Sequence, residues 1–219
     1  MKKYLEILKK CPLFANIEEE SLLRMLTCLG AETVSFDKRD TVFAEGVEAK
    51  SIGVVLKGEL ESVRYDYNGN KSIINKIDAP EIFGEAFACA EAKSLPISII
   101  AKESSEVMLI DCAHILHTCS NNCGFHQQLI YNLMKDLALK TLFFHERIEV
   151  TSQRSTREKL LTYLDIVSKQ KNSRKFTIPF NRQELADYLE VDRSGLSAEI
   201  SKMRKEGILE SNKNYFKLL

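Results

Sequence analysis

The stretch that decides the fold is Asn181-Arg182-Gln183-Glu184-Leu185-Ala186-Asp187-Tyr188-Leu189-Glu190-Val191-Asp192-Arg193-Ser194-Gly195-Leu196-Ser197-Ala198-Glu199-Ile200-Ser201-Lys202-Met203-Arg204-Lys205-Glu206-Gly207. Asn181 is a good N-cap, and Glu184 stands three residues on, in the capping-box position. The helix that follows would bury Leu185 and Leu189, with Ala186 small enough for close approach. A turn at Glu190-Val191 leads to Asp192, a second N-cap. Leu196, Ile200 and Met203 then fall at i, i+4 and i+7, one buried stripe. The opposite face carries Arg193, Ser194, Ser197, Ser201, Lys202 and Lys205, small at its start and basic at its end. The DNA major groove is about 12 Å wide, so a helix enters it only if its leading residues are slim. Arg193 can grip guanine O6 and N7 together and is the best base reader. Arg182, Lys202 and Lys205 suit phosphates, which position a protein without specifying sequence.

Outward from this stretch, Gly207 ends the second helix. Ile208-Leu209-Glu210 and Tyr215-Phe216-Lys217-Leu218 flank Ser211-Asn212-Lys213-Asn214, a hairpin whose tip residue Lys213 can reach a backbone phosphate. Upstream, a helix is expected over 156–167 with Leu160, Leu161 and Leu164 buried. A polar loop over 168–175 and a short strand over 176–180 follow it. The whole reads as a winged helix-turn-helix over 151–219. An isolated helix pair with a solvated charged face would look similar, but the wing and the charge distribution favour DNA. Residues 151–219 hold 14 Lys and Arg against 9 Asp and Glu, net +5. The remainder holds 17 against 22, net −5, so the zero overall charge hides a basic end that suits a polyanion.

From Thr33 to Asp111 the texture is different. Strands are expected over 33–36, 41–43, 52–56, 60–65, 73–77, 97–101 and 107–110. Glu45-Gly46, Lys57-Gly58, Asn68-Gly69 and Asp78-Ala79-Pro80 punctuate them. Asn68-Gly69 suits a type I′ hairpin turn, which needs positive φ at both positions. Many short strands at near-regular spacing predict an antiparallel barrel or sandwich. Before it, residues 4–29 read as short helices around Pro12, with Leu22, Leu23 and Leu26 on one side.

Between these regions a long helix is expected over 124–150. Ile130, Met134, Leu137, Thr141, Phe144 and Ile148 follow the 3-4 spacing of a coiled-coil seam, over about three heptads. Leu129, Leu133 and Phe143 lie off that seam. One stripe can therefore face its own domain and the other a second subunit, which predicts a homodimer. The expected division is a β-rich domain with N-terminal helices over 1–120, a dimerisation helix over 121–150, and the DNA-binding unit over 151–219. The fold class is α+β.

Over nearly its whole length the chain resembles the Crp/Fnr family of bacterial regulators. The resemblance rests on the glycine-punctuated β-roll (Gly46, Gly58, Gly69), Phe83-Gly84-Glu85, the long helix, and Arg182–Gly207 with its wing. It implies a homodimer on a palindromic operator in double-stranded DNA near a promoter, and a cyclic-nucleotide-binding-like β-roll. RNA polymerase is then a candidate partner. Polymerase-contacting surfaces obey no spacing rule, so activator or repressor is not legible. The family's DNA-reading positions map to Arg193, Ser194, Ser197 and Ala198. Cyclic-AMP-responsive members carry an acid and a second basic residue where this chain has Ser194 and Ala198, so its operator should differ from theirs.

In those members a Gly-Glu pair is followed about ten residues later by Arg-Ser, which neutralises the cyclic phosphate. Here Gly84 and Glu85 remain, but the later pair is Leu95-Pro96. These four residues mark the expected effector pocket. Without the arginine the phosphate loses its strongest charge-assisted bond, and Pro96 has no N–H to offer. Lys93 lacks the fork geometry of arginine. The expected effector is therefore an unidentified small molecule other than cyclic AMP, with a cyclic-nucleotide-responsive regulator as the alternative.

Six cysteines are present, but Cys11 and Cys28 stand 17 apart and no Cys-x-x-Cys exists, which argues against a family-type iron–sulfur cluster. Cys112, His114, His117, Cys119 and Cys123 place five soft ligands within twelve residues. A metal or thiol-redox site is one reading of that patch. Reduced thiols and histidines on a helical connector is the simpler one, and no cofactor is predicted. The amphipathic, charge-broken N-terminus lacks the apolar block of a secretory signal, so a cytoplasmic location with reduced thiols is expected, without a membrane partner. A regulatory module of a kinase or channel is disfavoured by the winged helix. An enzyme is disfavoured by the lack of a phosphate loop, nucleophile elbow or His-Glu-x-x-His motif.

Overall fold

The computed structural model describes residues 2–65, 67–68, 71–116 and 124–219. The chain divides into two units, Met1–Ala138 and Leu139–Leu219, with the boundary inside the long helix. The class is α+β.

In the first unit, helices α1 (Leu5–Leu8) and α2 (Glu19–Cys28) precede eight strands. These are β1 (Glu32–Phe36), β2 (Thr41–Phe43), β3 (Ser51–Lys57), β4 (Glu59–Tyr65), β5 (Lys71–Asp78), β6 (Ile82–Phe83), β7 (Ser98–Ala101) and β8 (Ser105–Asp111). They form two antiparallel four-stranded sheets in the orders β1-β8-β3-β6 and β2-β7-β4-β5. Val55, Leu60, Ile77, Phe83, Ile99, Ala101 and Val107 form one core cluster. The other faces of β3 and β8 bury Ile52, Val54, Met108 and Ile110 with Leu8, Phe14, Leu22 and Leu26 of the N-terminal helices. Strand β3 is therefore covered on both faces, which is why Ile52–Leu56 is a continuous apolar run rather than an alternating one. Gly53 interrupts that run for a steric reason. A Cβ there would lie 2.0 Å from the Phe83 ring.

The seven strands expected from sequence occur within a residue or two of their expected ends. The Asn68-Gly69 turn lies partly outside the described residues. Strand β6 and the short helix α3 (Glu85–Cys89) carry no periodicity of their own and were not anticipated. Helix α4 (Cys112–Leu116) follows β8 directly.

Helix α5 runs from Gly124 to Thr151. Its first half buries Leu129 and Leu133 against the first core. Asn132 donates to the carbonyls of Leu13 and Ala15 at 2.9 and 2.8 Å. Buried His126 pairs its Nε2 with the Ile115 carbonyl at 2.7 Å. Among the described residues no helix is long and apolar enough to cross a membrane.

In the second unit α6 spans Thr156–Gln170, capped by a Ser155–Glu158 capping box. It outlasts its expected end at Val167 by three residues, because Ser168, Lys169 and Gln170 are polar and give no apolar signal. Strand β9 covers only Lys175–Thr177. Beyond it the Ile178 N–H donates to the Asn214 carbonyl at 2.9 Å, and Pro179 has no N–H to extend the ladder. Helices α7 (Arg182–Leu189) and α8 (Arg193–Lys205) and strands β10 (Leu209–Asn212) and β11 (Tyr215–Leu218) complete the unit, with sheet order β10-β11-β9. Leu160, Leu164, Phe176, Leu185, Leu196, Ile200, Met203 and Phe216 share its core.

Candidate nucleic-acid interface

Helix α7 starts as its sequence dictates. The Asn181 side chain accepts from the N–H groups of Gln183 and Glu184, and Glu184 returns a carboxylate oxygen to the Asn181 N–H at 2.7 Å. The helix stops at Glu190, which is left-handed at φ 53° and carries the chain through the turn. Lys159 of α6 donates to the carbonyls of Leu189 and Glu190, satisfying acceptors that the helix end leaves open.

Asp192 then caps α8. Its Oδ2 accepts from the Gly195 N–H at 2.8 Å and from the Ser194 hydroxyl. These bonds, that of Ser194 first, hold its carboxyl below the usual carboxylate range. Leu196, Ile200 and Met203 are buried. Arg193, Ser194, Gly195, Ala198, Ser201, Lys202, Arg204 and Lys205 are exposed, and Ser197 is half-buried. The outer face thus begins with small side chains flanked by Arg193 and ends in three cations. Arg204 belongs to that end although its position off the main outward stripe hid it from the sequence reading. Arg157 of α6 pairs with Glu199 and Glu206, fixing the side of α8 that points away from the small residues.

The wing is tied to the start of α7. Arg182 is half-buried, with its guanidinium 5.7 Å from the Phe216 ring centroid and Nη2 donating to the Lys213 carbonyl at 3.2 Å. Burial pulls its pKa down. Lys213 itself is exposed at the tip, left-handed at φ 52°.

The expected seam of α5 lies unevenly. Met134, Phe144 and Ile148 are 64%, 55% and 63% exposed, and Thr141 is exposed as well. Ile130 and Leu137 are half-buried, Leu137 against the first core. Leu139, Leu142 and Phe143 add further exposed apolar surface.

In the β-roll, Gly84 begins α3 at φ 78°, a conformation that glycine tolerates, and a Cβ there would lie 2.7 Å from the Phe43 ring. Glu85 is buried. Leu95 is buried too. Its N–H donates to the Val47 carbonyl and its carbonyl accepts from the Gly46 N–H, both at 2.9 Å. Pro96 is exposed.

In the Cys–His patch, Cys112 is buried and His114 Nδ1 lies 3.0 Å from the Leu29 carbonyl. His117, Cys119 and Cys123 lie outside the described residues. Among the described residues no group of three or more His, Cys, Asp or Glu side chains could hold a metal ion.

Comparison with known proteins matches two stretches. Residues 33–122 match the cyclic nucleotide-binding domain family, and residues 158–219 match the Crp-like helix-turn-helix domain family. Together they cover more than two thirds of the chain. No curated protein matches the sequence. Among solved structures, CprK in complex with OCPA is similar at a TM-score of 0.61 and 14% identity, over 91% of this chain and 89% of that one. CLP, the c-di-GMP responsive global regulator of Xanthomonas campestris, is similar at a TM-score of 0.56 and 15% identity, over 92% of this chain and 99% of its own. A candidate cAMP-binding regulatory protein of Silicibacter pomeroyi is similar at 0.54 and 18%, over 100% and 94%.

Proposed function

Because this chain belongs to the Crp/Fnr family of transcription regulators, we propose that it acts as a homodimer on a palindromic operator and answers to an effector other than cyclic AMP. The observation that carries the reading is the two-faced α8. Its aliphatic stripe is buried and its small, cationic side is exposed. That shape suits entry into the major groove. Arg193, Ser194, Ser197 and Ala198 face base edges in this reading, while Lys202, Lys205 and Lys213 meet phosphates. Arg182 acts through the wing by holding the Lys213 carbonyl.

The exposed Met134, Thr141, Phe144 and Ile148, continued by half-buried Ile130 and Leu137, supply the surface for a second copy. Paired recognition helices would then stand about 34 Å apart, one DNA turn. An effector need favour the binding-competent state by only a few kcal/mol. We assign 1–120 to the sensor, 121–150 to pairing and 151–219 to DNA.

Against cyclic AMP stand two neighbouring positions. The Leu95 N–H already serves Val47, and Pro96 has none, so neither offers the cyclic phosphate a donor. The Glu85 carboxylate can accept from a hydroxyl but cannot neutralise an anion. The fold itself does not dictate cyclic AMP, since CLP is described as responsive to c-di-GMP.

A mobility-shift assay on the chain's own promoter region, run with a salt titration, tests the reading. Binding should weaken steeply as salt rises, because phosphate contacts release counterions. Failure to retain any duplex at low ionic strength would overturn it. Calorimetry should give no micromolar cyclic AMP binding, and sedimentation should give a dimer. Genome-wide footprinting of the tagged protein would then supply the operator and point to the effector.

A further inference from the structure

Cys89 and Cys112 are separated by two strands and a loop in sequence, yet they meet where α3 packs beside α4. Their sulfur atoms are 3.7 Å apart, within thiol hydrogen-bonding distance, and both are free thiols. Cys89 is half-buried and Cys112 is buried. The soft patch read from sequence grouped Cys112 with His114, His117, Cys119 and Cys123. The fold gives Cys112 a different neighbour, on the helix that begins with Glu85. A disulfide requires a sulfur separation of about 2.05 Å. The pair must therefore close by about 1.7 Å, a movement within reach of side-chain rotation at the end of a five-residue helix.

We propose that Cys89 and Cys112 form a reversible intramolecular disulfide, driven by hydroperoxides, that staples α3 to α4. The Cys89 thiolate attacks the terminal peroxide oxygen. The O–O bond breaks, an alcohol (or water, from hydrogen peroxide) leaves with the proton, and Cys89 becomes a sulfenic acid. The Cys112 sulfur then attacks the Cys89 sulfur. The S–O bond breaks, and the departing hydroxide takes the Cys112 proton as water. Two thiols and one hydroperoxide thus give one disulfide, one alcohol and one water, a two-electron oxidation. A dithiol reductant reverses it by exchange.

The roles follow from exposure. Cys89 is the more exposed sulfur; burial, with the Glu85 charge behind it, pushes its thiol up, and the Cys112 hydrogen bond offsets part of that rise. Burial, aided by Cys89, Asp111 and Glu91, pushes Cys112 up to about 12, which suits a resolving thiol that stays protonated until its partner is oxidised. The linkage would pin the helix that carries Glu85, whatever the effector is, and it does not depend on DNA binding.

The test uses the full-length reduced protein, exposed to hydrogen peroxide, quenched by alkylation and mapped by mass spectrometry without reduction. The expected product is a linked peptide pair joining Cys89 to Cys112, lighter by two hydrogens, formed at the same rate at high dilution and removed by dithiothreitol. Cys89→Ala and Cys112→Ala should each abolish it, with circular dichroism checking that each variant folds. The wild-type map decides the matter even if a variant misfolds. Cys112 linked to Cys119 or Cys123, Cys89 over-oxidised without any link, or a link only between two copies would each overturn the proposal.

Discussion

Helices α8 and α3, one in each unit, begin in opposite ways. Helix α8 opens on the Asp192 carboxylate, which accepts from the Gly195 N–H, and presents an exposed face of small and cationic residues. Helix α3 opens on a left-handed glycine with no side-chain cap and turns its first carboxylate, Glu85, inward. The difference teaches where function can be read. A helix that works through its outer face must keep an apolar stripe on the other, and that periodicity is written in sequence. A five-residue helix inside a β-roll is held by neighbours distant in the chain, and its own sequence announces little.

The comparison can be broken most severely on the hidden side of α8. Leu196→Asp puts a carboxylate in a fully buried position, and the second unit should lose more than about 4 kcal/mol of stability. Urea unfolding followed by hydrogen exchange should show the loss in that unit, with the β-roll protected as before. On the outer side, Arg193→Ala should leave stability unchanged and weaken operator binding by about 1–3 kcal/mol, roughly fivefold to 150-fold. Titration against operator variants should show relaxed preference at one base pair. At the other end, Gly84→Ala forces a Cβ onto the Phe43 ring at a positive φ and should cost about 1–3 kcal/mol, read by urea unfolding of the first unit. Lys202→Ala should lower affinity alike for all sequences and reduce the salt slope by about one.

The smallest effect sharpens the capping contrast. The Asp192 carboxyl titrates below its usual range, so its ionised form binds the folded state better. Its contribution is complete above the unfolded carboxylate pKa and fades as pH falls through the lower folded value. Asp192→Asn keeps a capping oxygen but cannot ionise. The melting-temperature gap between wild type and variant should be constant at neutral pH and close in acid, while no such trend accompanies a change at Gly84.

The α7–α8 unit was legible because each of its decisions is local. Asn181 with Glu184, Asp192 with Gly195, and the Leu196–Ile200–Met203 stripe lie within one or two turns of one another. Strand existence in the β-roll was legible for a similar reason, since Gly46, Gly58 and the apolar runs between them mark the turns. What escaped was set by tertiary packing. Strand β6 exists because Phe83 lies on Gly53, a meeting across nearly thirty residues of chain. The inward turn of Arg182 depends on Phe216 and Lys213, and the Cys89–Cys112 contact joins two helices that neither sequence neighbourhood predicts. The uneven exposure of the α5 seam escaped too. Spacing marks the stripe but does not say which half of it a chain's own core will cover.

The Arg182 strut has a consequence for what mutation can reach. A planar guanidinium lies by the Phe216 ring while its fork donates to the wing-tip carbonyl, and lysine, with a single compact ammonium, cannot do both at once. A drift from arginine to lysine that most surfaces would absorb silently here unties hairpin from helix. The wing and the helix pair are therefore joined at Arg182 into one mechanical part, and the proposed operator contacts at Arg193 and Lys213 lie outside that joint.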